Sequence, residues 1–383
     1  RDLVRSRGLG DVYKRQLVIE EARLLGTNDY HYDQLRTMID RDRNHPSIIL
    51  WSVGNEEWGV EWDKKSERIV QEINDKVALL DPTREMTVAT SGGPNVVINA
   101  DVAGYNYIMQ NPVEQHRSNY PSRKAYGSEE TSGCGTRGVY FDDRENGRMA
   151  SLNRTPDEKD GYMNRIERGW KFYDERPWLG GLFYWTGLDY RGEPNPLEYP
   201  ATGSEFGILD YCGFPKDEAF YLKSWWTDEP VLHILPHWNL EGHEGEEVPV
   251  WVYSNMDEVE LTVNGKNLGR KKMPRNGHLE WNAIYQPGKV VARGYKNGKR
   301  VMTTTVETAG KAEKLQKEIV READGTTIVN VSLMDAKNRF APTACNEVTI
   351  TLPADGSVRL LGAGNGDPAF RIAERPAAGS TPE

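Results

Sequence analysis

The sequence predicts an α/β domain of parallel strands followed by β-sandwich modules. Short apolar runs alternate with amphipathic helices from Leu17 to about Pro230, as in repeated βα units. Those runs are apolar at consecutive positions, the pattern of strands buried on both faces in a parallel barrel or sheet. Near Val231 helical periodicity vanishes, and alternating runs with Asn-Gly turns take over.

Taken in order, "LVIEE" (17–21) reads as a short strand. A helix around "YDQLRTMIDRD" follows, with Leu35, Met38 and Ile39 on one face. "SIILWSV" (47–53) is the second strand. The next helix carries Val70, Ile73, Val77 and Leu80 at helical spacing and is stopped by Pro82. Further strands are expected at "EMTVAT", "DVAGYNY", "KAYGSE" and "LGGLFYW", with a helix carrying Met163, Ile166, Trp170 and Tyr173 between the last two. Beyond Val231, "VPVWVYS" and "VELTV" are strands, and "VNGKNLG" and "YKNGKRV" are hairpin signals. A charged stretch, "AGKAEKLQKE", leads to a second β-rich segment with "TIVNVSLMDAKNR" and "NEVTITL".

The expected organisation is therefore a non-native segment at 1–16, a catalytic α/β domain at 17–230, an immunoglobulin-like β-sandwich at 231–310 and a second, C-terminally truncated β-sandwich at 311–383. The first of these rests on "SRGLGDVYKRQ" (6–16), which resembles a translated sequencing adapter and is set aside from fold reasoning.

Composition narrows the function. The formal net charge is −10, which argues against a phosphate-tracking surface and hence against nucleic acid as a partner. No apolar run approaches a membrane span, so no membrane partner is expected. Cys134, Cys212 and Cys345 form neither a disulfide framework nor a CxxC pair. Eleven Trp and eighteen Tyr fill cores first, but such rings also stack on sugar faces. The compartment and any homo-oligomerisation are left open.

Two short stretches carry chemistry. "SIILWSVGNEEWG" brings Asn55 and Glu56 to the mouth of a buried strand, where parallel barrels place their working residues. Acidic residues favoured by the dipole of the following helix are the bland alternative. In "KAYGSEETSG", Glu129 likewise ends a strand. Two carboxylates on different strand ends are what glycosidic-bond cleavage requires, one to protonate the leaving oxygen and one to attack the sugar or activate water. A pair of surface acids is again the bland alternative.

"RDRNHPSIILWSVGNEEWG" resembles the acid/base signature of glycoside hydrolase family 2, the beta-galactosidase, beta-glucuronidase and beta-mannosidase family. "AYGSEETSGCGTRGVY" resembles the nucleophile strand of its beta-galactosidase-like members, "LFYWTGLDYRGEPNPLEYPA" the last barrel strand and its loop, and "LVIEEARLLG" the third strand. The resemblance implies a partial (β/α)8 TIM barrel followed by two immunoglobulin-like β-sandwich domains, the last incomplete. It also implies a retaining exo-glycosidase. Glu56 matches the general acid/base, Glu129 the nucleophile, Asn55 the amide that binds the sugar 2-hydroxyl, Tyr107 the tyrosine that bonds the nucleophile and Trp185 an aromatic platform. Glu57 and Glu130 are the rival acids. An apolar setting between Trp51 and Trp58 is expected around Glu56, and donors such as Tyr107 are expected to keep Glu129 ionised.

Family members begin their barrel two strands earlier and carry further N-terminal domains. The chain is accordingly expected to form six of eight strands, with an open side, and to be inactive by itself. No cofactor is implied, and His233, His237 and His243 are read as loop residues and not as zinc ligands. The partner is a glycoside or oligosaccharide. No Asn-x-Lys triplet of the glucuronide-cleaving members lies between Trp185 and Trp225, which leans the reading toward galactosides. A carbohydrate-binding or scaffolding protein on a degenerate barrel is the competing class, and so within the family is a beta-glucuronidase or beta-mannosidase.

Overall fold

The computed structural model describes residues 17–133, 135–151, 166–199, 201–323 and 325–369. The adapter-like segment and Met163 lie outside them. The described residues divide into two compact units, one of 17–133 with 166–185 and the other of 135–151 with 186–369.

The first unit is a six-stranded parallel sheet in sequential order. Its strands are β1 (Val18–Glu21), β2 (Ile48–Asn55), β3 (Glu85–Thr90), β4 (Val102–Asn106), β5 (Lys124–Glu130) and β6 (Leu179–Tyr184). Neighbours stay in step, with Ile19 beside Leu50, Val88 beside Ala103 and Gly104 beside Tyr126. The sheet does not close on itself among the described residues, so β1 and β6 form its two edges. This is a partial TIM barrel, as the sequence predicts.

Helices return the chain between strands. α1 (Asp29–Asp42) starts where the Asn28 side chain accepts from the His31 backbone N–H, and it buries Leu35, Met38 and Ile39. A four-residue turn, α2 (Trp58–Glu61), precedes α3 (Lys65–Leu80), which buries Val70, Ile73 and Val77. Both long helices turn these faces to one core with Trp51, Val53, Met86 and Val88 of the strands. α4 (Val113–Asn119) and α5 (Ile166–Asp174) complete the unit, α5 burying Ile166 and Tyr173.

Sheet register slips at the carboxyl ends of the strands. Irregularities fall between Ser52 and Asn55, between Tyr105 and Asn106, and between Gly127 and Glu130. Bulges of this kind re-aim side chains and cluster near functional sites. The residues that follow are left-handed without being glycine: Glu56 at φ 52°, Tyr107 at φ 50° and Thr131 at φ 59°. Such backbone costs about 1–3 kcal/mol each and persists only where the surroundings enforce it.

In the second unit a two-residue ladder, β7 (Tyr190–Arg191) with β8 (Gly203–Ser204), and α6 (Asp217–Trp226) precede a sandwich. Its three-stranded sheet runs β13 (Leu279–Ile284), β10 (Glu247–Ser254), β9 (Leu232–Leu235). Its four-stranded sheet runs β12 (Lys266–Lys272), β11 (Glu258–Val263), β14 (Lys289–Lys296), β15 (Lys299–Glu307). The two Asn-Gly turns lie where expected, with Asn264 and Gly265 at φ 48° and 84° and Asn297 and Gly298 at φ 50° and 75°, the backbone of a hairpin turn. Val250, Val252, Val259, Leu261 and Trp281 fill the space between the sheets.

After it, β16 (Ala312–Ala323) pairs with β17 (Thr326–Asp335) as a two-stranded ribbon. "NEVTITL" is not a strand, contrary to its alternation. Val348 and Ile350 are exposed instead, because no neighbouring strand pairs with them among the described residues. A period of two makes a strand only where a ladder can form.

Candidate active site

Three strand ends of the first unit converge through one amide. Asn106, the last residue of β4, is fully buried. Its Nδ2 donates to Asn55 Oδ1 at 2.8 Å and stands 3.1 Å from Glu56 Oε1 and 3.3 Å from Glu129 Oε2. Ser128 Oγ donates to Asn106 Oδ1 at 2.7 Å. Asn55, Glu56 and Glu129 are thus brought together by a residue that the sequence reading passed over. A signal was available: Asn106 immediately precedes Tyr107 at a strand end, and a polar residue ending an apolar run asks the same question as Asn55.

Glu56 is half-buried, and its backbone N–H donates to Ala89 O at 3.1 Å. The expected setting between two indoles is not formed. Trp51 is fully buried, its Nε1 donating to Asp81 at 3.0 Å, while Trp58 is 68% exposed. Strand alternation separates them: Trp51 faces the helices, and Trp58 lies beyond the strand on α2. Arg23 brackets the same strand end, donating to Asn55 O and pairing with Glu57 at 3.5 Å.

Glu129 accepts from the Tyr107 hydroxyl, which lies 2.9 Å from Ser132 Oγ. The expectation that such donors hold Glu129 ionised is reversed by burial. Burial pushes its carboxyl up to about 7; Tyr107 acts the other way, and the neighbouring Glu56 charge adds to the rise. Burial also drives the Tyr107 hydroxyl far above its ordinary range, helped by Glu129, so it remains a donor.

Glu130 points to the opposite face of β5, as consecutive strand residues do. It is 1% exposed, accepting from Ile108 N at 2.7 Å and from the Tyr173 hydroxyl of α5. Burial raises its carboxyl to about 7 against both donors. Glu130 therefore ties down the residue after Tyr107 and does not share the mouth with Glu129. Trp185 follows β6, partly exposed, with its N–H on Glu130 O at 2.8 Å.

The three histidines lie in the second unit, engaged elsewhere. His233 pairs with Asp217 at 2.6 Å, His237 bonds Gly138 O at 3.0 Å, and His243 stacks on Phe141. No described helix is long and apolar enough to cross a membrane.

The first unit is thus a parallel partial barrel with carboxylates gathered at its strand ends, where barrels of this kind place their working residues. Comparison with known proteins agrees: "Glycosyl hydrolases family 2, TIM barrel domain" matches residues 21–227, and "Domain of unknown function (DUF4982)" matches residues 245–302, within the sandwich. The chain belongs to glycosyl hydrolase family 2.

It is 32% identical to "Beta-galactosidase BoGH2A" of Bacteroides ovatus over 398 residues, covering 89% of this chain and 46% of that protein. Among solved structures it resembles a beta-glycosidase from Bacteroides vulgatus, with TM-score 0.73, 29% identity and coverage of 91% of this chain and 48% of that one. It also resembles a beta-glucuronidase from Parabacteroides merdae, with TM-score 0.57, 25% identity and coverage of 85% and 46%. The chain spans less than half the length of the curated relatives it matches.

Proposed function

We propose that this chain carries the catalytic carboxylates of a retaining exo-glycosidase acting on terminal β-D-galactosyl residues. Glu56 donates its proton to the glycosidic oxygen while the Glu129 carboxylate attacks the anomeric carbon. The bond to the aglycone breaks and a glycosyl ester forms on Glu129. Water then attacks the same carbon, Glu56 takes its proton, and Glu129 leaves. Asn55 would bind the sugar 2-hydroxyl, Tyr107 would orient the nucleophile, and Trp185 would face the sugar ring.

The observation that carries this reading is the Asn106 amide, within hydrogen-bond reach of one oxygen of each carboxylate. That closeness suits a retaining pair, whose carboxyl groups lie about 5–5.5 Å apart, better than an inverting pair at about 6.5–9.5 Å. The galactoside preference draws support from the relative named a beta-galactosidase and from the missing Asn-x-Lys triplet. A beta-glucuronidase is the second reading, favoured by the structural neighbour so named.

The test is Glu129→Gln in the full-length gene product, assayed on nitrophenyl β-galactoside and β-glucuronide. Turnover should fall by more than the roughly 10²–10⁴-fold typical of one proton-transfer group. Near-normal turnover rejects the nucleophile, and a wild type that prefers the glucuronide rejects the galactoside.

A further inference from the structure

We propose that Trp58 and Trp62 form an aromatic platform for the aglycone, binding a neutral sugar ring on the leaving-group side of the bond that Glu56 protonates. This rests on the reading of Glu56 as the acid/base. The leaving oxygen must lie within hydrogen-bond reach of that acid. The aglycone is therefore the part of the substrate that lies nearest the chain just beyond Glu56.

That chain is α2, and its polarity is inverted. Its buried residue is a carboxylate: Glu61 is 1% exposed and accepts from Ser91 N and Gly93 N at 3.1–3.3 Å. Its exposed residues are indoles, with Trp58 at 68% and Trp62 at 66%. An amphipathic turn that served only packing would do the reverse. Single exposed apolar residues are ordinary, but two of the largest side chains on one turn beside paired carboxylates are not.

The turn is also fixed in place. The Trp58 backbone N–H donates to Glu56 O at 2.9 Å, which fixes the start of the turn to the backbone of the acid residue. Trp62 caps the turn in right-handed helical backbone at φ −90°, ψ −10°, so the indoles, four residues apart, share one face. Trp62 lies against Gly92, where a Cβ would meet its Cζ2 at 3.3 Å, and Gly92 has φ 141°, a backbone that side chains rarely adopt. A ring in contact along one edge and two-thirds exposed is suited to stacking on the C–H face of a pyranose.

The test compares wild type, Trp58→Ala, Trp62→Ala and the double variant of the full-length gene product on two substrates. Lactose has a sugar aglycone, whereas β-galactosyl fluoride has no ring in its leaving group. The double variant should raise KM for lactose about tenfold and leave kcat/KM for the fluoride within about twofold. An unchanged lactose KM overturns the platform, and so does an equal loss on both substrates.

Tryptophan fluorescence titrated with lactose gives a readout independent of turnover. Saturable quenching should be present in the wild type and lost in the double variant. If the wild type cleaves neither substrate, the galactoside reading fails and the titration alone decides: quenching that survives in the double variant, or is absent throughout, overturns the platform.

Discussion

Ser128 Oγ donates to Asn106 Oδ1 at 2.7 Å, and this fixes which end of the amide faces the carboxylates. With its oxygen engaged, Asn106 presents Nδ2 to Glu56 and Glu129. Asn106→Ala should lower kcat/KM of the full-length gene product by roughly 10²-fold, the scale of one oriented donor in a catalytic site. Asn106→Asp should cost more, because a third negative charge would replace the donor. Ser128→Ala should cost less than either. Steady-state kinetics on nitrophenyl β-galactoside order the three, and an Asp variant as active as wild type removes the amide from the site.

The Glu129 carboxyl, pushed to about 7, sets the acid side of the rate profile. Attack requires the ionised form, so the acid limb of kcat/KM should rise with pH through about 7. Tyr107→Phe removes a donor that favours the ionised form, so this limb should move to higher pH. A limb that stays in place in the Phe variant would separate Tyr107 from the nucleophile.

Glu130 makes stability depend on pH with a defined sign. Its folded carboxyl titrates near 7, against about 4.3 in an unfolded chain. Between those values the folded state binds more protons, so stability falls as pH rises. Glu130→Gln should match wild type in Tm near pH 4.5 and exceed it by a gap that widens to pH 8. Glu130→Ala should be less stable at every pH, because it strands the buried donors of Ile108 and Tyr173, each costing about 1–3 kcal/mol. Thermal melts at several pH values separate these outcomes.

Lys216 and Asp189 are a buried ion pair at 2.7 Å, with side chains 2% and 1% exposed. Lys216 also donates to Glu205 O at 2.9 Å. Lys216→Met leaves Asp189 uncompensated and should destabilise the second unit by about 3–5 kcal/mol. Adding Asp189→Leu should recover much of that loss. Denaturant titrations of the two variants check the coupling, and additive effects would count against it.

The strands, the main helices and both hairpin turns were legible because each depends on local pattern. Leu35, Met38 and Ile39 recur at helical spacing, and Asn264-Gly265 sets its own turn. That Glu56 and Glu129 stand close together was legible from strand ends and family signature. Asn106 was legible only as a polar strand end, since its partners lie 51 residues back at Asn55 and 23 forward at Glu129. The environment of Glu129 was misjudged for a related reason. One hydroxyl donor can be read from sequence, but the burial that outweighs it comes from the whole fold. "NEVTITL" shows the converse, a local pattern with no partner to realise it.

The adjacent acids of β5 pose a problem of register. Because side chains alternate across a strand, a slip of one residue would put Glu130 at the mouth and send Glu129 beneath α5. Either register offers the site one carboxylate, so charge alone does not choose between them. Gly127 does. A Cβ there would meet the Tyr173 hydroxyl at 1.9 Å, and only the absent side chain lets that hydroxyl reach Glu130. Slip the strand and Tyr126 or Ser128 would stand where Tyr173 must pass. Which of the two carboxylates stands at the mouth is thus written two residues before Glu129, in a position that carries no chemistry at all.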